Sequence, residues 1–258
     1  MCTTAIKDAF AGAIAVILLA SIGCGSPDQP SMPAADWGYT GDIGPTRWAT
    51  ISPSYAACGS GQMQSPIDLE SPKMDGAGDL ILDYGIKASQ LANNGHTLQV
   101  NFPGGDILHV GQTPYELQQF HLHVPSEHLI DGVPGRAELH LVHKSADGNL
   151  AVVGIILQQG ATNDAIGRML AAAVGKDQTV STAQPFDAAA LIPAGEGYYM
   201  YNGSLTTPPC TEGVLWMILN KPGEIDDTQV AQFQSQFGAN ARPAQALNGR
   251  STDEYSSL

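Results

Sequence analysis

Two stretches decide how this chain is read: Gln118-Gln119-Phe120-His121-Leu122-His123 and Ala137-Glu138-Leu139-His140-Leu141-Val142-His143. Successive side chains of a β-strand point to opposite faces. In the first stretch Gln119, His121 and His123 therefore share one face, with Phe120 and Leu122 on the other. In the second, Glu138, His140 and Val142 share a face opposite Leu139, Leu141 and His143. If the two strands pair, three imidazoles meet on one surface.

Working outward, more short alternating or apolar segments recur at Leu98 to Phe102, Ile107 to Val110, Tyr115 to Val124, Leu150 to Leu157 and Val214 to Leu219. Turn residues such as Pro103-Gly104-Gly105 and Asp147-Gly148-Asn149 separate them. Helical spacing is confined to Asp164 to Val174 and Asp227 to Phe237, each with an Asp suited to a helix N-terminal end. The expected fold is mixed α+β and β-dominated. It is one domain with a large, mostly antiparallel, twisted central sheet and a few surface helices.

Three neutral nitrogen ligands with an open fourth position are the donor set of catalytic zinc, whereas structural zinc is closed by four ligands. His121, His123 and His140 are thus a candidate Zn2+ site. A metal-bound His usually donates its other N–H to an acceptor. Gln119 and Glu138, each two residues from a proposed ligand on the same face, suit His121 and His140. His109, His128 and His143 lack this phasing and read as structural. An isolated His-x-His could equally be two exposed strand histidines; the third His in phase favours the metal.

The chain has 258 residues, with 11 Lys plus Arg against 25 Asp plus Glu, a formal charge of −14. Such a field excludes nucleic acid and anionic membrane surfaces as partners and leaves a small neutral substrate unaffected. Residues 1–24 read as an export signal, with Lys7 ahead of an apolar run too short to span a bilayer. Ser21-Ile22-Gly23-Cys24 resembles a degenerate lipobox, in which Cys24 would carry lipid; a cleaved soluble form is the alternative. Residues 25–35 read as a flexible linker, so the catalytic domain spans 36–258. Export with Cys24 lipidated leaves Cys58 and Cys210, and two cysteines in an oxidising compartment point to one disulfide rather than two buried thiols. The expected location is periplasmic or cell-surface, with membrane contact through Cys24 alone.

From Trp37-Gly38-Tyr39 to Arg242-Pro243-Ala244-Gln245 the chain resembles the α-carbonic anhydrases. The resemblance is carried by Gln64-Ser65-Pro66-Ile67-Asp68, Asn93-Asn94-Gly95-His96, Phe120-His121-Leu122-His123, Ser126-Glu127-His128, Ala137 to His143 and Gly203-Ser204-Leu205-Thr206-Thr207-Pro208-Pro209-Cys210. It implies reversible hydration of carbon dioxide to bicarbonate and a proton by hydroxide held on zinc. It also implies that Thr206 and Glu127 orient the hydroxide, that Thr207 holds bicarbonate, and that Val142, Val152, Leu205, Val214 and Trp216 wall the carbon dioxide pocket. His96 would be the proton shuttle, served by water that Tyr39 and Asn94 organise. A Cys58–Cys210 disulfide and cis bonds at Ser65-Pro66 and Pro208-Pro209 follow from the same resemblance. Val124 and Lys144 depart from the aromatic residues of many animal members, and Val124-Pro125-Ser126 looks like the bacterial branch.

Two other readings compete. His121-x-His123 followed by Glu127 is also a cupin-like metal pattern, in which Glu127 would bind the metal directly. The other is a non-catalytic, zinc-binding exported module, either a zinc-scavenging lipoprotein or a catalytically silent relative that presents a surface.

Overall fold

The computed structural model describes residues 35–256 apart from 71, 72, 75, 77, 79 and 196. The export signal expected at 1–24, with Cys24, and all but the last residue of the 25–35 linker lie outside the described residues. Among the described residues no helix is long and apolar enough to cross a membrane.

A 13-stranded sheet dominates. Its path runs Gln178–Asp187, Lys87–Asn93, Leu98–Asn101, Thr113–His123, Ala137–Lys144, Leu150–Gln159, Glu212–Leu219, Tyr198–Ser204, Asp253–Tyr255 and Lys73–Met74. Most neighbours are antiparallel. The 150–159 strand pairs in parallel with 212–219 and with Gly223–Ile225, and 253–255 with 73–74. The expected β-dominated single domain is what forms, and a cupin-like architecture is excluded by it.

Strand parity sorts the core. Phe120, Leu122, Leu139 and Leu141 enter the larger apolar cluster behind the sheet. Val142, Val152, Trp216 and Ile218 belong to a second cluster on the front face. Trp48, Tyr55, Cys58 and Cys210 form a third.

The Asp227–Phe237 helix has the expected bounds, and the Asp226 side chain caps it by accepting from Gln229 N. The other helix, Asp164–Ala171, is capped by Asn163 and stops short of Val174. There Asn93 Nδ2 donates to the Val174 carbonyl oxygen at 2.8 Å, and Gly175 follows. Ser65-Pro66 and Pro208-Pro209 are cis, and so is Val124-Pro125. Cys58 and Cys210 are disulfide-bonded.

Candidate active site

Cross-strand register builds the site. His121 stands opposite His140 on one side and Gln99 on the other, while Gln119 stands opposite Val142. His140 in turn faces Gly154, Val142 faces Val152, and Val152 faces Trp216. Imidazoles and apolar side chains thus sit in adjacent rows of one pleated surface. Gly154 has a spatial reason to be glycine: a Cβ there would come within 3.0 Å of Glu138 Oε1 and 2.5 Å of Ile218 Cδ1.

One nitrogen from each of His121, His123 and His140 lies within 4.8 Å of the others. Outer partners decide which nitrogen is free. His121 Nδ1 bonds Gln119 Oε1 at 2.8 Å, and His123 Nδ1 donates to the main-chain oxygen of Asn240 at 2.7 Å. His140 Nε2 bonds Glu138 Oε1 at 2.9 Å. A carbonyl or carboxylate oxygen can only accept, so the bonded nitrogens carry hydrogen and the opposite nitrogens carry lone pairs. Burial depresses all three imidazoles below the usual His range, so they are neutral at pH 7. His123 Nε2 is buried with no hydrogen-bond partner among the described residues. An unsatisfied buried lone pair beside two others is the donor set that a divalent zinc ion fits.

Glu127 is buried beneath them. Its Oε1 accepts the Arg242 main-chain N–H at 2.8 Å, and Oε2 lies 3.9 Å from His140 Nδ1. Burial raises the Glu127 carboxyl to about 7, against the lowering effects of His140, the Arg242 N–H and the Thr206 side chain. Glu127 Oε2 is buried with no hydrogen-bond partner among the described residues, and Thr206 lines the cavity above.

A cavity of about 170 Å³ opens over the triad. Gln119, the three histidines, Val142, Val152, Leu205, Thr206, Thr207 and Trp216 line it, together with Tyr39, Asn94 and His96. Val214 does not line it; it packs beside Val152 and Trp216 within the front cluster. Glu127 and Glu138 act from behind the lining. His109 and His143 are not lining residues, and His143 is buried against Tyr84 at the back of the sheet.

Sequence reasoning missed Asn240, Arg242 and Trp37. Asn240 supplies the acceptor for His123, and no local pattern marks it. The Arg242 guanidinium is buried and donates to Gln64 Oε1, Ser65 O and Cys58 O, within the field of the Glu127 carboxylate. Trp37 stacks on the His96 ring at 3.8 Å between centroids. His128, structural by its phasing, bonds Glu138 Oε1 through Nδ1 at 2.7 Å.

Comparison with known proteins agrees with this geometry. A family model described as "Eukaryotic-type carbonic anhydrase" matches residues 43–255. A carbonic anhydrase of Nostoc sp. is 42% identical over 223 residues, covering 83% of this chain and 84% of its own. A hyperthermostable carbonic anhydrase from an active hydrothermal vent chimney superposes with TM-score 0.83 at 36% identity, covering 86% of this chain and all of its own. The α-carbonic anhydrase of Thermovibrio ammonificans, solved with the inhibitor sulfanilamide, gives TM-score 0.81 at 36% identity with the same coverage. The chain belongs to the α-carbonic anhydrase family and is a carbonic anhydrase.

Proposed function

We propose that the chain hydrates carbon dioxide reversibly, with zinc held by His121, His123 and His140. The observation that carries this reading is the convergence of three neutral, outward-braced imidazoles on a cavity with one apolar wall. When bound, zinc supplies the Lewis acidity that lets a water ionise near neutral pH.

The chain's own residues do the rest. The Thr206 hydroxyl donates to Glu127, which leaves the Thr206 oxygen as an acceptor and turns the lone pair of a cavity water toward the substrate. Val142, Val152, Leu205 and Trp216 receive carbon dioxide without competing hydrogen bonds, backed by Val214. Thr207 holds the bicarbonate formed. His96 carries the proton to solvent through water organised by Tyr39 and Asn94. Its ring is half-buried against Trp37, and burial followed by the charge of Lys176 lowers its pKa, which keeps it a ready proton acceptor at neutral pH.

The Cys58–Cys210 disulfide supports folding in an oxidising compartment. Export to the periplasm or cell surface is therefore part of the proposal, with Cys24 as a lipid anchor to be settled by mass spectrometry of the mature N-terminus.

The test combines metal analysis with stopped-flow carbon dioxide hydration. One zinc per chain, activity stopped by sulfanilamide, and loss of both metal and activity in His121→Ala are expected. A chain fully loaded with zinc that does not hydrate carbon dioxide would sink the proposal and favour a non-catalytic zinc-binding module.

A further inference from the structure

We propose that the mouth of the cavity selects the base that takes the proton from His96, favouring neutral bases over anionic ones. Asp36 and Asp177 supply the selection, and Lys176 opposes it. The proposal rests on His96 being the proton shuttle.

His96 hands its proton to a base arriving from solvent, so the charges around the ring act on that base as well as on the ring. Two segments carry them. On one side Trp37 stacks on the imidazole at 3.8 Å between centroids, and Tyr39 meets it edge-on at 6.3 Å. Asp36 immediately precedes Trp37 and is exposed. The other side is the segment 174–177. The Lys176 stem lies over Gly95, where a Cβ would come within 2.7 Å of Lys176 Cε. Asp177 follows it, and both residues are exposed.

The backbone holds this second pair of charges in place. Asp177 N donates to Asn93 O at 2.7 Å, and Gln178 N donates to Gly175 O at 3.1 Å. Asn93 Nδ2 donates to Val174 O at 2.8 Å, while Asn93 Oδ1 accepts Gly95 N at 2.9 Å. Asn93 therefore ties both ends of the segment to the hairpin that carries His96. Asp177 sits at φ 61°, a left-handed conformation that a side chain seldom adopts without such a tie.

The ring feels one ammonium, Lys176, and two carboxylates, Asp36 and Asp177. Asn240, which also packs on this hairpin, is neutral and donates to His96 O. The mouth is therefore net negative, on a chain whose formal charge is −14. A dianion is repelled once it comes within a Debye length, about 8 Å at physiological ionic strength, whereas a neutral base approaches freely. The step moves one proton from the imidazolium N–H to the lone pair of the base, and no other bond changes. A neutral base leaves as a cation, whose formation two nearby carboxylates favour.

The test is stopped-flow carbon dioxide hydration by the zinc-loaded full chain, with imidazole and inorganic phosphate as acceptors. Both titrate near neutrality, so the driving force is matched and the charge differs. The rate that each acceptor supports in His96→Ala is subtracted, which removes acceptor that enters the cavity and bypasses the ring. In wild type at low ionic strength imidazole is expected to be roughly 5-fold more effective than phosphate, with the ratio shrinking as salt is added. Asp36→Asn combined with Asp177→Asn is expected to bring the ratio near unity, and Lys176→Gln to raise it. The effect belongs to kcat, because kcat/KM for carbon dioxide is set before the proton leaves the ring. Equal effectiveness of the two acceptors in wild type, or a ratio that the Asp→Asn changes leave in place, would overturn the proposal. A His96→Ala chain that keeps the full rate with both acceptors would refute the shuttle reading itself, and the proposal with it.

Discussion

His123 Nδ1 lies 2.7 Å from the main-chain oxygen of Asn240, a residue 117 positions further along the chain. The buried Asn240 side chain secures the contact. Its Oδ1 accepts Val124 N at 2.7 Å, and its Nδ2 donates to Leu122 O at 3.0 Å and His96 O at 3.1 Å. One amide thus clips the end of the ligand strand, the His96 turn and the C-terminal segment together.

Asn240→Ala strands the buried Val124 N–H, at about 1–3 kcal/mol for an unsatisfied group, and takes one donor from His96 O and from Leu122 O, which keeps the Thr97 hydroxyl. A loss of roughly 2 kcal/mol in denaturant unfolding is expected, together with faster zinc release, because the His123 acceptor is no longer held. Unchanged release despite lower stability would separate the clip from the metal site.

His143 is buried behind the sheet against Tyr84, and burial lowers its pKa to about 4. An unfolded His titrates near 6.5, so between pH 6.5 and 4 the unfolded chain binds the extra proton. Stability is full above about pH 6.5 and falls as pH drops toward 4, by roughly 3 kcal/mol from this group at about 1.4 kcal/mol per pKa unit. Unfolding of metal-free wild type and His143→Phe at pH 7, 5.5 and 4.5 checks this; the variant should show the shallower acid loss.

The Cys58–Cys210 disulfide joins positions 152 residues apart. In the chain-entropy model so long a loop contributes up to about 5 kcal/mol. Reduction, or Cys58→Ser with Cys210→Ser, is expected to cost about 2–5 kcal/mol in denaturant unfolding. An unfolding midpoint insensitive to reductant would refute the estimate.

His96→Ala is expected to slow hydration at least 10-fold in dilute buffer while leaving zinc content unchanged, with imidazole restoring the rate. Lys176 lowers the His96 pKa, so Lys176→Ala should let the ring hold its proton to higher pH and move the alkaline rise of the rate upward. A pH profile that does not move would remove Lys176 from the proton path.

Much of the metal set was legible because it depends on period two alone. Parity within 118–123 and 137–143 placed three imidazoles on one surface and sent His143 to the other. The Asp227–Phe237 helix was legible for the analogous reason, since its apolar residues recur at helical spacing. The Gln178–Asp187 and Tyr198–Ser204 strands were not. The first is largely exposed at the sheet edge and carries Pro185; the second is interrupted by Gly203. Neither shows the alternation that burial on one face imposes.

The sequence by itself therefore determined the strand character of the ligand segments, the face on which each imidazole lies and the short-range acceptors Gln119 and Glu138, because these follow from backbone geometry within a few residues. Only the tertiary structure decided the rest. It set the register that puts His140 opposite His121, brought Asn240 to His123, placed the Arg242 amide on Glu127 and tied Ser65 through Tyr201 to His128. Those contacts join residues at least 73 positions apart or depend on strand pairing, and no local periodicity encodes which distant group will fill a buried hydrogen-bonding position.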